Sequence, residues 1–264
     1  DHYANATDRL MGYLCRLATD AAEAGLPHVC YEQMYTPHQT PWTIAQSRDY
    51  LSAVYERTGN PLYLTIDVGH QVGQQKFLRP TREELEKIAK AVVDGERVEG
   101  VWLGPQAAWT AMDRLRDKST TDIDGVLDEV EAAMDRTPYL FATRDDTCVY
   151  TWLSALGCYS PIVHLQQTNG LTSSHWPFTE RYNREGIVRP DELLGAIAQS
   201  YRAPEAEGMP PRCEDIYLTF ELFAGTADIG RDVLERIRES IRYWRRFVPE
   251  DGVRLSELMQ SMSS

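Results

Sequence analysis

No run of about 18 apolar residues occurs in the 264-residue chain, so no stretch reads as a membrane-spanning helix. The opening residues DHYANATDRL lack the basic, apolar and small-residue sections of a secretory signal. Positive charge is scarce: 27 Lys and Arg stand against 40 Asp and Glu, a formal net charge of −13. Gripping a phosphate backbone relies on Lys and Arg displacing counterions, which argues against nucleic acid as a partner. One basic cluster exists (Arg236, Arg238, Arg242, Arg245, Arg246), but Glu235 and Glu239 interrupt it along a helical pattern, and it reads as a solvated helix face. Cysteine is also sparse. Cys15, Cys30, Cys148, Cys158 and Cys213 are odd in number and widely spaced, with no CxxC pair and no secreted-type framework. They are expected to be reduced thiols in a cytoplasmic protein. Low-complexity tracts and fixed-period repeats are missing too, and disorder is expected only at the final MQSMSS.

What remains, 42% hydrophobic and 10% aromatic residues, is enough for a full globular core. Helical spacing of Leu10, Leu14, Leu17 and Ala21 predicts a helix over 4–24 that stops at Gly25. HVCYEQM then reads as a strand, followed by a breaker-rich loop and a helix over 43–57. PLYLTIDVGH repeats the order with a buried type of strand. From Gln71 to about Asp146 the rhythm is less regular: helices over 81–93, 107–116 and 122–135, a short strand GVWLG at 100–104, and PYLFAT at 138–143. It resumes with the helix VYTWLSALG, the strand PIVHLQQ, a hydroxyl-rich loop, the helix DELLGAIAQSYRA, the strand IYLTFELF and a last helix over 229–247. Main strands separated by helices specify an α/β fold with a parallel sheet, able to close as a (β/α) barrel. Three segments are expected: a barrel portion over 1–70, an α/β insertion or lid over 71–146, and a second barrel portion over 147–264.

Four polar groups stand at or just beyond the carboxyl ends of four predicted strands: Glu32, Asp67, His164 and Glu221. Alone, each reads as a cap, a loop acceptor or a core histidine. Together they differ, because in a parallel barrel these strand ends share one mouth, and unpaired ionisable groups gathered there need a compensator. Three carboxylates and one imidazole suit a divalent cation, Mn²⁺ first, with Mg²⁺, Co²⁺ and Zn²⁺ as alternatives.

The segments YEQMYTP, LTIDVGHQ, IVHLQQTNG and LTFELF resemble the xylose isomerase-like (β/α)8 TIM barrel superfamily, in particular its sugar and sugar-phosphate 3-epimerases and isomerases. The shared order is a strand-end Glu, then Asp-x-x-His (Asp67, His70), a strand His and a final Glu, over roughly residues 10–70 and 148–247. The resemblance implies that Glu32, Asp67, His164 and Glu221 bind metal, that Glu32 and Glu221 also transfer protons, and that His70 contacts a substrate oxygen. Inverting a carbon beside a carbonyl requires one group to remove a proton and another to return it on the opposite face, a task two carboxylates can share across an enediolate. HLQQTNGLTSSHWPF is similar to four-carbon ketose phosphate epimerases, which adds Gln166, His175 and Trp176 as expected substrate contacts. Thr172, Ser173 and Ser174 are candidate neutral phosphate donors, and Phe178 is a second candidate cover for the sugar.

The chain departs from the family in three places. Its motif strands match only the carboxyl-terminal half of the barrel, and it opens inside a helix that would precede the fifth strand, so the first strands are expected to be absent from this chain. The insertion next to His70 is expected to act as a lid or an oligomer contact in a homo-oligomer, with Lys76 or Arg79 in reach of a phosphate. Gly170 stands where the family often has Arg, six residues after the strand His. The expected activity is a ketose or ketose-phosphate 3-epimerase acting on a small sugar. The alternatives are an aldose–ketose isomerase, an endonuclease IV-like hydrolase and a non-catalytic barrel protein.

Overall fold

A computed structural model describes residues 2–117 and 119–262. The chain begins with α1 (His2–Glu23) and the short strand β1 (Cys30–Glu32), and crosses through α2 (Ile44–Thr58) to β2 (Tyr63–Asp67). The Thr43 side chain caps α2 by accepting from the Gln46 amide, and Gly59 closes it with a left-handed turn. Next come α3 (Gln71–Gln74), α4 (Arg82–Val93), α5 (Gln106–Asp113) and α6 (Ile123–Asp135). The alternation then resumes with α7 (Val149–Leu156), β3 (Ile162–Leu165), α8 (Glu180–Glu185), α9 (Pro190–Arg202), β4 (Tyr217–Phe220), α10 (Gly230–Trp244) and α11 (Leu255–Met262).

All strand pairs are parallel, and their order in the sheet is β1-β2-β3-β4. Helical crossovers between adjacent parallel strands make this an arc of an α/β barrel. Every residue of β2 is buried, as expected of a strand covered on both faces, whereas β4 exposes Tyr217 and Thr219 and half-buries Leu218 and Phe220. The core beneath the sheet gathers Leu64, Ile66, Val163 and Leu165 from the strands, Leu51 and Val54 from α2, and Trp152, Leu153 and Leu156 from α7. Among the described residues no helix is long and apolar enough to cross a membrane, and all five cysteines are free thiols.

The segment between α3 and α7 has an apolar cluster of its own, built from Leu85, Ala89, Leu103, Met112, Leu127, Val130, Met134 and neighbours. Its α4 starts with a reciprocal capping box between Thr81 and Glu84. Leu127 has no exposed surface, so Leu127→Ala should cost about 2–5 kcal/mol by opening a cavity. Amide exchange should then rise over residues 82–141 and stay slow in the strands; equal loss in both would show that the two clusters melt as one.

Three expectations are corrected. GVWLG at 100–104 is irregular backbone, because Gly100 and Gly104 both adopt positive φ, outside strand geometry. PYLFAT forms a 3₁₀ turn over Pro138–Leu140 and a single bridge between Leu78 and Ala142, so the segment expected to be α/β is helical. The terminal MQSM lies in α11, whose Leu258 is buried; Ser263 and Ser264 lie outside the described residues. The sequence reading also missed α3 and α8, each under two turns and too short to show a period.

Candidate metal centre

The parallel register determines what meets at the mouth. Glu32 and Asp67 are the last residues of β1 and β2, His164 pairs with Asp67 across β2 and β3, and Glu221 follows β4 directly. One ligand atom from each of the four lies within 4.8 Å of all the others. His164 Nδ1 is 3.2 Å from Glu32 Oε1 and 2.8 Å from Glu221 Oε2. The first contact is a hydrogen bond. The second is off the direction one needs, so Glu221 Oε2 is buried without a hydrogen-bond partner.

The ionisation states follow from these contacts. The hydrogen bond to His164 holds the Glu32 carboxyl below its ordinary range, and the same bond raises His164 above the usual imidazole value. Asp67 is fully buried, and desolvation pushes it up to about 7. Its two oxygens are used differently. Oδ1 accepts from the Gly69 amide and from Gln166 Nε2, both at 2.7 Å. Oδ2 is buried with no partner.

Two orphaned carboxylate oxygens beside an imidazole and a third carboxylate form a hard donor set with unsatisfied lone pairs, which fits a divalent cation. Glu32, Asp67, His164 and Glu221 are the residues that would hold it.

His70 is buried beside this group. Its Nδ1 lies 2.7 Å from the Gln33 carbonyl, which can only accept, so Nδ1 carries the proton and the Nε2 lone pair is left on the Asp67 side, 3.9 Å from Oδ1. Burial lowers the His70 pKa and favours this neutral form. Gln71, which the sequence reading passed over, donates to the Asp67 carbonyl and to Gln33 Oε1, tying β1 to β2 at the mouth. Gly69 was missed as well, although a Cβ there would come within 2.4 Å of Gln166 Cδ.

The other expected contacts divide. Gln166 and His175 are buried next to the quartet, with their polar atoms engaged by protein groups. Trp176 is half-buried, stacks on Tyr182 and lines an adjoining open cavity of about 650 Å³ with Ser174, Arg181 and Phe223. Phe178 is packed in the core, and Gln167 ties its loop to Val188. Thr172 and Ser174 hydrogen-bond each other at 2.8 Å. Arg79 pairs with Asp135 of α6 at 2.6 Å, which engages it on the inserted segment.

No protein-family model matches the chain. In sequence it is 27% identical over 132 residues to D-erythrulose 1-phosphate 3-epimerase of Brucella abortus, a match covering 50% of this chain and 39% of that protein. In structure it is similar to a candidate xylose isomerase from Rhodospirillum rubrum, with a TM-score of 0.51 and 16% identity, over 89% of this chain and 52% of the other. The chain therefore spans about half the length of the proteins it matches, or less. The parallel strands and the helices between them are thus similar in fold to a xylose isomerase-like α/β protein, and half of the sequence is similar to a sugar-phosphate epimerase.

Proposed function

We propose that the protein is a divalent-metal-dependent ketose or ketose-phosphate 3-epimerase, with Mn²⁺ as its preferred ion. The observation that carries this reading is the convergence of Glu32, Asp67, His164 and Glu221, two of them with orphaned buried oxygens. A bound divalent ion supplies positive charge to stabilise the negative charge that develops on the substrate's oxygens. Glu32 and Glu221 come from the two outermost strands and flank the Asp67–His164 pair from opposite sides. In the forward direction one carboxylate takes the proton from the carbon beside the carbonyl, leaving an enediolate. The other, entering as the carboxylic acid, returns a proton to the opposite face. His70 Nε2 accepts from a sugar hydroxyl, and Trp176 borders the space for the distal end of the sugar.

An aldose–ketose isomerase is the second reading, favoured by the name of the Rhodospirillum rubrum neighbour, and it passes through the same enediolate. The same overall reading takes a small sugar or sugar phosphate as the partner, with no nucleic acid or membrane, in a cytoplasmic homo-oligomer.

Metal-loaded protein in D₂O should incorporate solvent deuterium beside the carbonyl of a tetrulose, pentulose or hexulose, free or phosphorylated, and bind about one divalent ion per chain. Absence of metal-dependent exchange across that set would overturn both readings. Appearance of an aldose in place of the epimer would select the isomerase.

A further inference from the structure

Gln166 has an amide whose orientation is decided by its neighbours. One of its polar atoms lies 2.6 Å from the backbone nitrogen of His175, which can only donate, so that atom is Oε1. Nε2 therefore faces Asp67 Oδ1 at 2.7 Å and His175 Nε2 at 3.3 Å. The carbonyl of Glu221, 3.3 Å from His175 Nδ1, can only accept, so Nδ1 carries the ring proton and Nε2 is left as an acceptor toward Gln166 Nε2 and Ser173 Oγ. One residue thus reaches two members of the quartet, Asp67 through Gln166 and Glu221 through its backbone.

His175 holds this place in an unusual conformation. Its φ of +47° is the one positive value at a non-glycine position among the described residues, in the left-handed region that is uncommon for residues other than Gly and that Asn, Asp and His enter most readily. The left-handed turn lets the backbone N–H meet Gln166 while the ring faces Glu221. The segment after β4 secures it: the Phe223 amide donates to the His175 carbonyl at 3.1 Å, and the two rings stack with centroids 3.8 Å apart.

We infer that His175 and Gln166 are positioning residues: they hold Asp67 by Oδ1 so that Oδ2 faces the cation position, and they hold the Glu221 backbone at the same mouth. This replaces the sugar contacts expected of both residues, and it rests on the metal-binding reading above. Partners that orient a ligating carboxylate typically change metal affinity when removed.

The test is Mn²⁺ titration by calorimetry of wild type, Gln166→Met, His175→Ala and His175→Asn, with thermal unfolding of each in chelator. Asn tolerates the left-handed backbone and offers an N–H donor of its own, so it serves as the rescue variant. Q166M and H175A should weaken Mn²⁺ by about 10- to 100-fold with chelator-state melting near wild type, and H175N should recover most of the affinity. Wild-type Mn²⁺ affinity in Q166M and H175A, with only KM for the sugar raised, overturns the inference and restores them as substrate contacts. Affinity lost only in step with the chelator-state melting temperature, without rescue by H175N, also overturns it. If wild type itself takes up no divalent ion, the metal-dependent reading fails and takes this inference with it. If wild type binds Mn²⁺ and exchanges deuterium while the variants bind as tightly, the positioning role fails alone.

Discussion

Glu221→Gln should lower metal-dependent deuterium exchange by about 10²–10⁴-fold while the circular dichroism spectrum and chelator-state melting stay near wild type. The substitution is nearly isosteric at a half-buried side chain, so packing changes little. What it removes is charge and basicity: the amide cannot accept a proton from carbon, and it loses the carboxylate that faces His164 Nδ1 at 2.8 Å. Glu32→Gln should act in the same direction from the other flank. If the two carboxylates serve opposite faces, each variant should impair exchange more from one epimer than from the other. Equal loss from both would assign the glutamates to holding the ion alone. Full exchange in E221Q would remove Glu221 from the mechanism.

Mn²⁺ at a hundredfold excess over its dissociation constant should stabilise the protein by about 2.7 kcal/mol, on the order of 5–10 °C for a chain of this size. At a fixed Mn²⁺ concentration the gain should grow with pH. Asp67 is raised to about 7 by burial, so between the carboxylate's ordinary range and about 7 the metal-free folded state binds more protons than the unfolded chain. Metal-free stability therefore falls as pH rises through that window. His164, raised by its bond to Glu32, adds a contribution that is complete below the ordinary imidazole value and is lost as pH rises through its higher folded value. Glu32 is lowered, so its contribution is present above the ordinary carboxylate range and fades only in acid.

A divalent cation needs Asp67 ionised and His164 neutral, and so competes with the protons that both groups hold. Melting curves with and without Mn²⁺ between about pH 5.5 and about pH 8 should diverge progressively toward alkaline pH. A pH-independent increment would show that the ion binds elsewhere. Asp67→Asn should abolish most of the increment, since it removes the charge and one lone-pair oxygen at the centre of the quartet.

Periodicity and breakers were enough to locate the longer elements. α2, α4, α6 and α9 fall where the apolar spacing put them, because their caps and turns are written in adjacent residues such as Thr43, Gly59, Thr81 and Pro190. β2 and β3 were legible as apolar runs with an ionisable residue at or next to their carboxyl ends. GVWLG was misleading because strand composition says nothing of the positive φ at Gly100 and Gly104. The inserted segment could not be read as helical throughout, since its Leu103 and Phe141 reach their cluster from irregular backbone that follows no period.

By itself the sequence determined which residues supply the quartet, since ionisable side chains at the ends of apolar strands stand out against their surroundings whatever the fold does next. It also determined that these strands are parallel, because helix-length segments separate them. Only the tertiary structure decided how the quartet is held. The engagement of Asp67 through Oδ1 alone, the amide orientation of Gln166, the tautomers of His70 and His175 and the close approach that requires Gly69 all depend on partners between 2 and 99 residues apart along the chain. Hydrogen-bond direction is a property of atoms in contact, and no spacing rule along a chain encodes it.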